Sequence, residues 1–229
     1  MSKESIQVGW KWSEVKDPEN WIIPAGGILR LPLILGKPPA RIFDLGCGLG
    51  RHTVYFASLG YDIEACDISL EAVEKTREWL VKENLRAKIT QNKMTDLNQP
   101  NNKYDLIIGY NVIYHAFQED IIKTINEIYR ILKPGGLFFG TFLTKDRNDP
   151  FQRGPATIID EQTLIIQGGP EDGIPHFFSY IENVLEFLMD FEILSIEFVS
   201  SFKKPFSVER ITNQYKTGHY IFLAKKPIK

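Results

Sequence analysis

The chain has 229 residues, 43% of them apolar and 24% charged, which suffices for one sizeable core and favours a single domain with additions. Its 27 Lys and Arg nearly balance 29 Asp and Glu, a formal charge of −2, so no electrostatic case arises for nucleic acid or an anionic membrane. The longest apolar runs, such as AGGILRLPLILG, are broken by Arg30, Pro32 and Gly36 and fall short of the ~20 residues that cross a bilayer.

Residues 1–39 read as an aromatic arm, GWKWSEVKDPENWIIP, and the opening MSKESIQVGW lacks the apolar stretch of a secretory signal. From residue 40 to 145, strand-like runs alternate with helical patterns. ARIFDLG reads as a strand and RHTVYFASLG as a helix closed by Gly60; YDIEACD is the next strand. SLEAVEKTREWLVKEN is an amphipathic helix with Ser69 as N-cap and Ala72, Val73, Thr76 and Leu80 on one face. AKITQN and the nearly continuous apolar YDLIIGY are two further strands. EDIIKTINEIYRILKPGG is a helix stopped by Pro134 and Gly135, and LFFGTFL a fifth strand. This alternation predicts a doubly wound, mostly parallel sheet.

Residues 146–180 are long, rich in Gly and Pro and without a periodic pattern, so an irregular insertion over a binding site is expected. Residues 181–229 hold a helix (SYIENVLEFLMDF) and two strands (EILSIEFVS and HYIFLAKK), too close in sequence for a crossover helix and therefore antiparallel. The basic clusters FKKPF and AKKPIK are read as solvated surface and tail. The only two cysteines, Cys47 and Cys66, indicate a reducing, cytoplasmic setting.

The chemistry concentrates in RIFDLGCGLGRH. A glycine-rich turn leaving the first strand lies at the carboxyl edge of the sheet, where backbone can approach a ligand and the next helix offers its amides. A phosphate loop would end in Gly-Lys-Ser/Thr, and this turn ends in Gly50-Arg51-His52. The dinucleotide fingerprint is met at Gly46 and Gly48 only, with Arg51 where the third glycine belongs and Gly50 one place early. Asp67 closes the second strand about 20 residues on, placed for ribose hydroxyls. The alternative for Asp67 is a cap on the following helix.

Taken together, FDLGCGLGRH, ACDIS, YDLIIGYNVIYH and IYRILKPGGLFF resemble a class I S-adenosylmethionine-dependent methyltransferase, and GCGLGRH is similar to the turn of the tellurite-resistance type. The resemblance implies a Rossmann-like seven-stranded α/β sheet, mostly parallel with an antiparallel last strand, and S-adenosylmethionine as cofactor. By position, Asp44, Gly46, Cys47, Gly48 and Gly50 would line its methionine part, with Asp67 on the ribose and Ile68 against the adenine. Lys93 stands where such enzymes place an acid for the adenine amino group, so adenine reading falls to the backbone near Met94 and Thr95, or to Asp96. Tyr110 and Asn111 would lie near the sulfonium, although Tyr110 also suits plain strand packing.

Two histidines, His115 after the fourth strand and His176 in GIPHFF, are the candidate base or orienting groups; a structural hydrogen-bonding role is the alternative for each. His52 opens a helix, and His219 precedes the last strand, away from the ligand edge. Trp10, Trp12 and Trp21 suggest a lid, or simply packing of the arm. The Asn111-Val112-Ile113-Tyr114 run lacks the prolines of base-amine transferases, and neither cysteine suits cytosine C5 chemistry or, with no further thiols, arsenite. A small-molecule acceptor on a monomer or homodimer follows, with no metal, nucleic acid or membrane. A cofactor-binding regulator without catalysis, a nicotinamide oxidoreductase and a methyltransferase for a macromolecule are the competing readings.

Overall fold

The structure, a computed structural model, describes residues 8–145, 155–200 and 217–228. The FKKPF cluster lies outside them. A short helix α1 (Leu31–Leu35) ends the arm and leads to β1 (Arg41–Leu45), α2 (Arg51–Ser58), β2 (Asp62–Asp67), α3 (Leu70–Lys82), β3 (Lys88–Gln91) and β4 (Tyr104–Gly109). Then come α4 (Gln118–Ile131), β5 (Leu132–Lys145), three short strands β6 (Ala156–Ile158), β7 (Thr163–Ile166) and β8 (Pro175–Phe177), α5 (Ile181–Phe187), β9 (Glu192–Ser200) and β10 (Thr217–Lys225).

Seven strands form one sheet in the order β3-β2-β1-β4-β5-β10-β9. β1 pairs in parallel with both β2 and β4, and β4 with β5, whereas β10 runs antiparallel to both of its neighbours. Alternate residues of β1 feed the two faces: Phe43 and Leu45 pack with the α4 residues Ile121, Ile125 and Ile128, and Ile42 packs with Phe56, Ile63 and the arm residues Ile28 and Leu31. Burial on both faces explains why the parallel strands read as continuous apolar runs. The chain crosses from β2 on one side of β1 to β4 on the other, so the crevice at the carboxyl ends of β1 and β4 is the topological switch point.

The helices form as their sequences dictate. Ser69 caps α3, its hydroxyl accepting from the Ala72 amide, and the face Ala72, Val73, Thr76 and Leu80 is buried. α4 stops at Ile131, two residues before Lys133, because the residue preceding Pro134 is driven to extended geometry; β5 therefore starts directly at Leu132.

Three expectations need correction. Among the described residues of the insertion, β6, β7 and β8 form a small antiparallel sheet rather than irregular chain. Its Leu164 packs with Phe178, Leu143 and Tyr114, so the insertion has a core of its own against the main sheet. Lys226 of the AKKPIK tail is buried, its ammonium donating to the carbonyls of Tyr129 (2.7 Å) and Leu132 (2.8 Å) and to Asn102 Oδ1 (2.9 Å). Finally, because β10 runs backward, its first residues lie at the carboxyl edge of the parallel strands, which brings His219 to the ligand side.

Candidate cofactor and acceptor site

The turn after β1 is built on left-handed backbone. Gly46 (φ +66°), Gly48 (+55°) and Gly50 (+92°) all sit where side chains are strained. A Cβ on Gly46 would meet Val112 Cγ2 at 2.3 Å, and one on Gly48 would meet the Trp12 ring at 2.7 Å. The turn is tied to β2 by the Cys47 amide on the Cys66 carbonyl (3.0 Å) and closed by the Gly50 amide on the Cys47 carbonyl (2.9 Å).

Asp67 faces this turn. One carboxylate oxygen accepts from the Gly48 amide and the other from the Ser69 amide, each at 2.9 Å. Burial pushes its carboxyl up, and backbone amides of Ser69, Gly48 and Ile68 oppose that shift. Asp67 thus ties the glycine turn to the start of α3 and lies on the wall of the crevice. Asp44, wholly buried below the turn, accepts from the Thr53 hydroxyl at 2.7 Å. Burial pushes its carboxyl up to about 7.

The crevice encloses about 920 Å³ of atom-free space, part of it open to solvent. Gly46, Cys47, Gly48, Asp67 and Ile68 lie on its wall, and so do Met94, Tyr110, Asn111 and His115. Asp44, Gly50, Thr95 and His176 do not reach it. Asp44 points down into the core toward α2 instead. Gly50 is small because Thr76 of α3 packs 2.8 Å from where its Cβ would stand. Asn111 is left-handed (φ +56°) and anchored by its amide on Thr141 Oγ1 at 2.7 Å.

Residues the motifs do not mark also reach the wall: Gly9, Arg51, Asn92, Val112 and Ile174. Arg51 follows the glycine turn directly, and its guanidinium lies 5.3 Å from the Trp21 ring and 5.4 Å from the Tyr110 ring. Burial lowers its pKa. Trp10, Trp12 and Trp21 pack on one another with centroids 4.9–5.6 Å apart and cover the crevice. The Trp12 indole nitrogen is buried without a hydrogen-bond partner among the described residues. The arm is fastened to the insertion by the Lys11 amide on the Pro170 carbonyl (2.9 Å) and by Lys11 Nζ on Asp172 Oδ2 (3.0 Å).

The histidines converge at the far end of the crevice. His115 and His176 meet edge to face, centroids 4.5 Å apart, and Trp10 covers His115 at 5.9 Å. His219 joins them through a 3.2 Å contact with the Tyr114 hydroxyl, contrary to its expected remoteness. Burial first, then His176 and His219, push His115 well below the ordinary imidazole range, with the Asn111 backbone opposing that shift. His52 also lines the crevice beside the glycine turn, its Nε2 accepting from the Ala25 amide at 3.4 Å, and burial with Arg51 beside it lowers it to about 3.

Residues 42–136 match the family model described as a methyltransferase domain. Over this stretch the chain is similar to class I S-adenosylmethionine-dependent methyltransferases. It is 25% identical over 193 residues to a probable S-adenosyl-L-methionine-dependent methyltransferase TehB of Haemophilus influenzae strain 10810, covering 82% of this chain and 58% of that protein. It is 24% identical to a malonyl-[acyl-carrier protein] O-methyltransferase of Salmonella typhimurium, over 64% of this chain and 55% of the relative. The chain therefore spans a little over half the length of these curated relatives. Among solved structures, the 1,6-didemethyltoxoflavin-N1-methyltransferase of Burkholderia thailandensis, bound to its substrate and S-adenosylhomocysteine, shares the fold at a TM-score of 0.62 and 19% identity, over 87% of this chain and 76% of that one.

The site fits the family's cofactor on its own terms. The glycine cradle has no room for side chains, a half-buried carboxylate is hydrogen-bonded to it, and a buried indole donor beside it has no partner among the described residues.

Proposed function

We propose that the chain transfers a methyl group from S-adenosylmethionine to a small-molecule acceptor. The observation that carries this reading is the continuity of one covered crevice from the glycine cradle and Asp67 at one end to His115 at the other. A regulator that only held the cofactor would need no space beyond it. Tryptophan faces and Ile174 close the far side, which supports an acceptor small enough to lie beneath the arm. The relatives' names include a protein-borne acceptor, a malonyl group on a carrier protein, so a tethered small acyl group is the second reading.

The bound cofactor supplies a methyl group already activated on a sulfonium, so alignment and exclusion of water are the protein's main tasks. Asp67 accepts the ribose hydroxyls, and Gly46 and Gly48 let the main chain close on the methionine part. Ile68 and Met94 flank the adenine, with Asn92 rather than Lys93 offering a polar side chain at that wall. Tyr110 and the tryptophans present aromatic faces to a cation. His115 is the side chain placed to meet the acceptor, with His176 behind it and outside the crevice. Both cysteines are buried free thiols, which supports the cytoplasmic setting; among the described residues no helix is long and apolar enough to cross a membrane.

Calorimetry tests the reading. S-adenosylhomocysteine is expected to bind and NAD not to, and Asp67→Ala to weaken the former ~10-fold or more by loss of charge-assisted hydrogen bonds. Binding of NAD alone would end the methyltransferase assignment. Transfer of labelled methyl from S-adenosylmethionine to a low-molecular-weight metabolite fraction, and not to protein or RNA, is the matching result for the acceptor.

A further inference from the structure

We propose that His115, Glu171 and His176 form a site for a divalent transition-metal ion at the acceptor end of the crevice. One ligand atom from each lies within 4.8 Å of the others.

The hydrogen bonding of His176 leads there. Its Nδ1 is 3.1 Å from the Ile174 carbonyl, an acceptor only, so Nδ1 carries the proton. Nε2 then presents a lone pair, yet it sits 3.2 Å from Glu171 Oε1, a second acceptor. Two acceptors at that distance require a proton, on Nε2 or on the carboxyl, or a metal ion between them. A proton there satisfies His176 and Glu171 alone. It leaves His115, whose ring packs against His176, with a buried Nδ1 that has no partner among the described residues. A metal ion engages all three side chains. The His176 N–H held by a backbone carbonyl is also the outer contact that fixes the tautomer and orientation of metal-bound imidazoles.

Two imidazoles and one carboxylate suit zinc, cobalt or nickel, whereas calcium and magnesium take all-oxygen sites. Metal–nitrogen bonds of about 2.0–2.1 Å set neighbouring ligand atoms roughly 3.3 Å apart. The His176–Glu171 pair already has that spacing, and the widest pair needs to close by about 1.5 Å. Movement is available at Glu171, whose side chain is about one-third exposed. Three protein ligands leave coordination positions free. Of the three ligands only His115 lines the crevice; on the methyltransferase reading, and resting on it, an acceptor hydroxyl, carboxylate or thiol reaching the ion past His115 would occupy one.

The full-length chain, stripped with EDTA, is titrated with Zn²⁺ and Co²⁺ against a chromophoric chelator. One ion per chain is expected, with ligand-field absorption of nitrogen and oxygen coordination for Co²⁺ and an affinity reduced at least ~10-fold in His115→Ala and in Glu171→Gln. Glu171 is about one-third exposed, so Glu171→Gln tests the site without opening the core, whereas His176→Ala removes a buried ring. Failure of the wild-type chain to bind either ion stoichiometrically, or binding that both variants retain at full affinity, overturns the proposal. S-adenosylhomocysteine binding, measured on the same samples, separates the two claims: metal uptake without it leaves the metal site standing and removes only the methyltransferase reading.

Discussion

Gly46 and Asp44, two residues apart, show how little freedom the cradle has. At Gly46 an alanine would carry a left-handed strain of about 1–2 kcal/mol and press its methyl into Val112. Gly46→Ala should therefore lower stability by more than about 2 kcal/mol in urea titrations and weaken S-adenosylhomocysteine binding, whereas Gly36→Ala, with open space about it, should show the backbone strain alone. For Asp44 the sign follows from burial. Its folded-state pKa of about 7 exceeds the unfolded value of 3.8, so the native state holds a proton that the unfolded chain releases. Its contribution is fully present below about 4 and is lost as pH rises to about 7. The unfolding free energy of wild type minus that of Asp44→Asn should fall across that window and level off above it. An invariant difference would refute the assignment. At this scale the glycine turn was legible because its residues lie within one short segment, and Asp67, which hydrogen-bonds to it, follows at a fixed strand-to-strand distance. Glu171 was not, because no local spacing links it to His115; only the folded insertion brings them together.

Among the elements, the last turn of α4 depends on a side chain almost a hundred residues away. Lys226 places three charge-assisted hydrogen bonds on carbonyl and amide oxygens at that helix end, and its ammonium lies 4.5 Å from the Tyr129 ring. Lys226→Met should cost about 2–4 kcal/mol, chiefly by leaving buried acceptors unpaired, with little change in the urea m-value. A cost near zero would show water taking over those acceptors. The sequence suggested a solvated tail here, since charge composition says nothing of which carbonyls a lysine will find. The helices and the parallel strands were legible because their hydrophobic period is long and regular, as in the Ala72-Val73-Thr76-Leu80 face. The small sheet β6–β7–β8 was not: strands of three or four residues carry too little periodicity, and left-handed Gly168, Gly169 and Gly173 read simply as loop. His219 was misplaced for a different reason. Pairing direction, not local pattern, decides which end of β10 meets the crevice.

For the whole molecule, the arm and the insertion close one crevice from opposite sides. The ion pair between Lys11 and Asp172 is exposed by about two-fifths on each side, so solvent screens it and it adds little. Lys11→Ala should loosen S-adenosylhomocysteine by less than ~5-fold, because the cover rests mainly on the aromatic packing. Three of the four tryptophans line the crevice, while Trp79 packs beside Leu80 and Leu85 on α3. Binding should therefore change the intrinsic fluorescence of the wild-type chain, and a variant carrying Phe at 10, 12 and 21 should lose that response while Trp79 still emits. A response that persists would place the arm away from the cofactor.

The fastening of Lys11 to Asp172 spans 161 residues of sequence, and that separation bears on biogenesis. The cradle from β1 to β2 is complete early in synthesis, within the first third of the chain, whereas its cover needs residues from both sides of the main sheet. Long-range closure of this kind is slow relative to local pairing. A growing chain thus exposes its tryptophan-rich arm to the solvent of the exit tunnel's mouth until the insertion has emerged, and the crevice becomes a protected compartment only late in assembly.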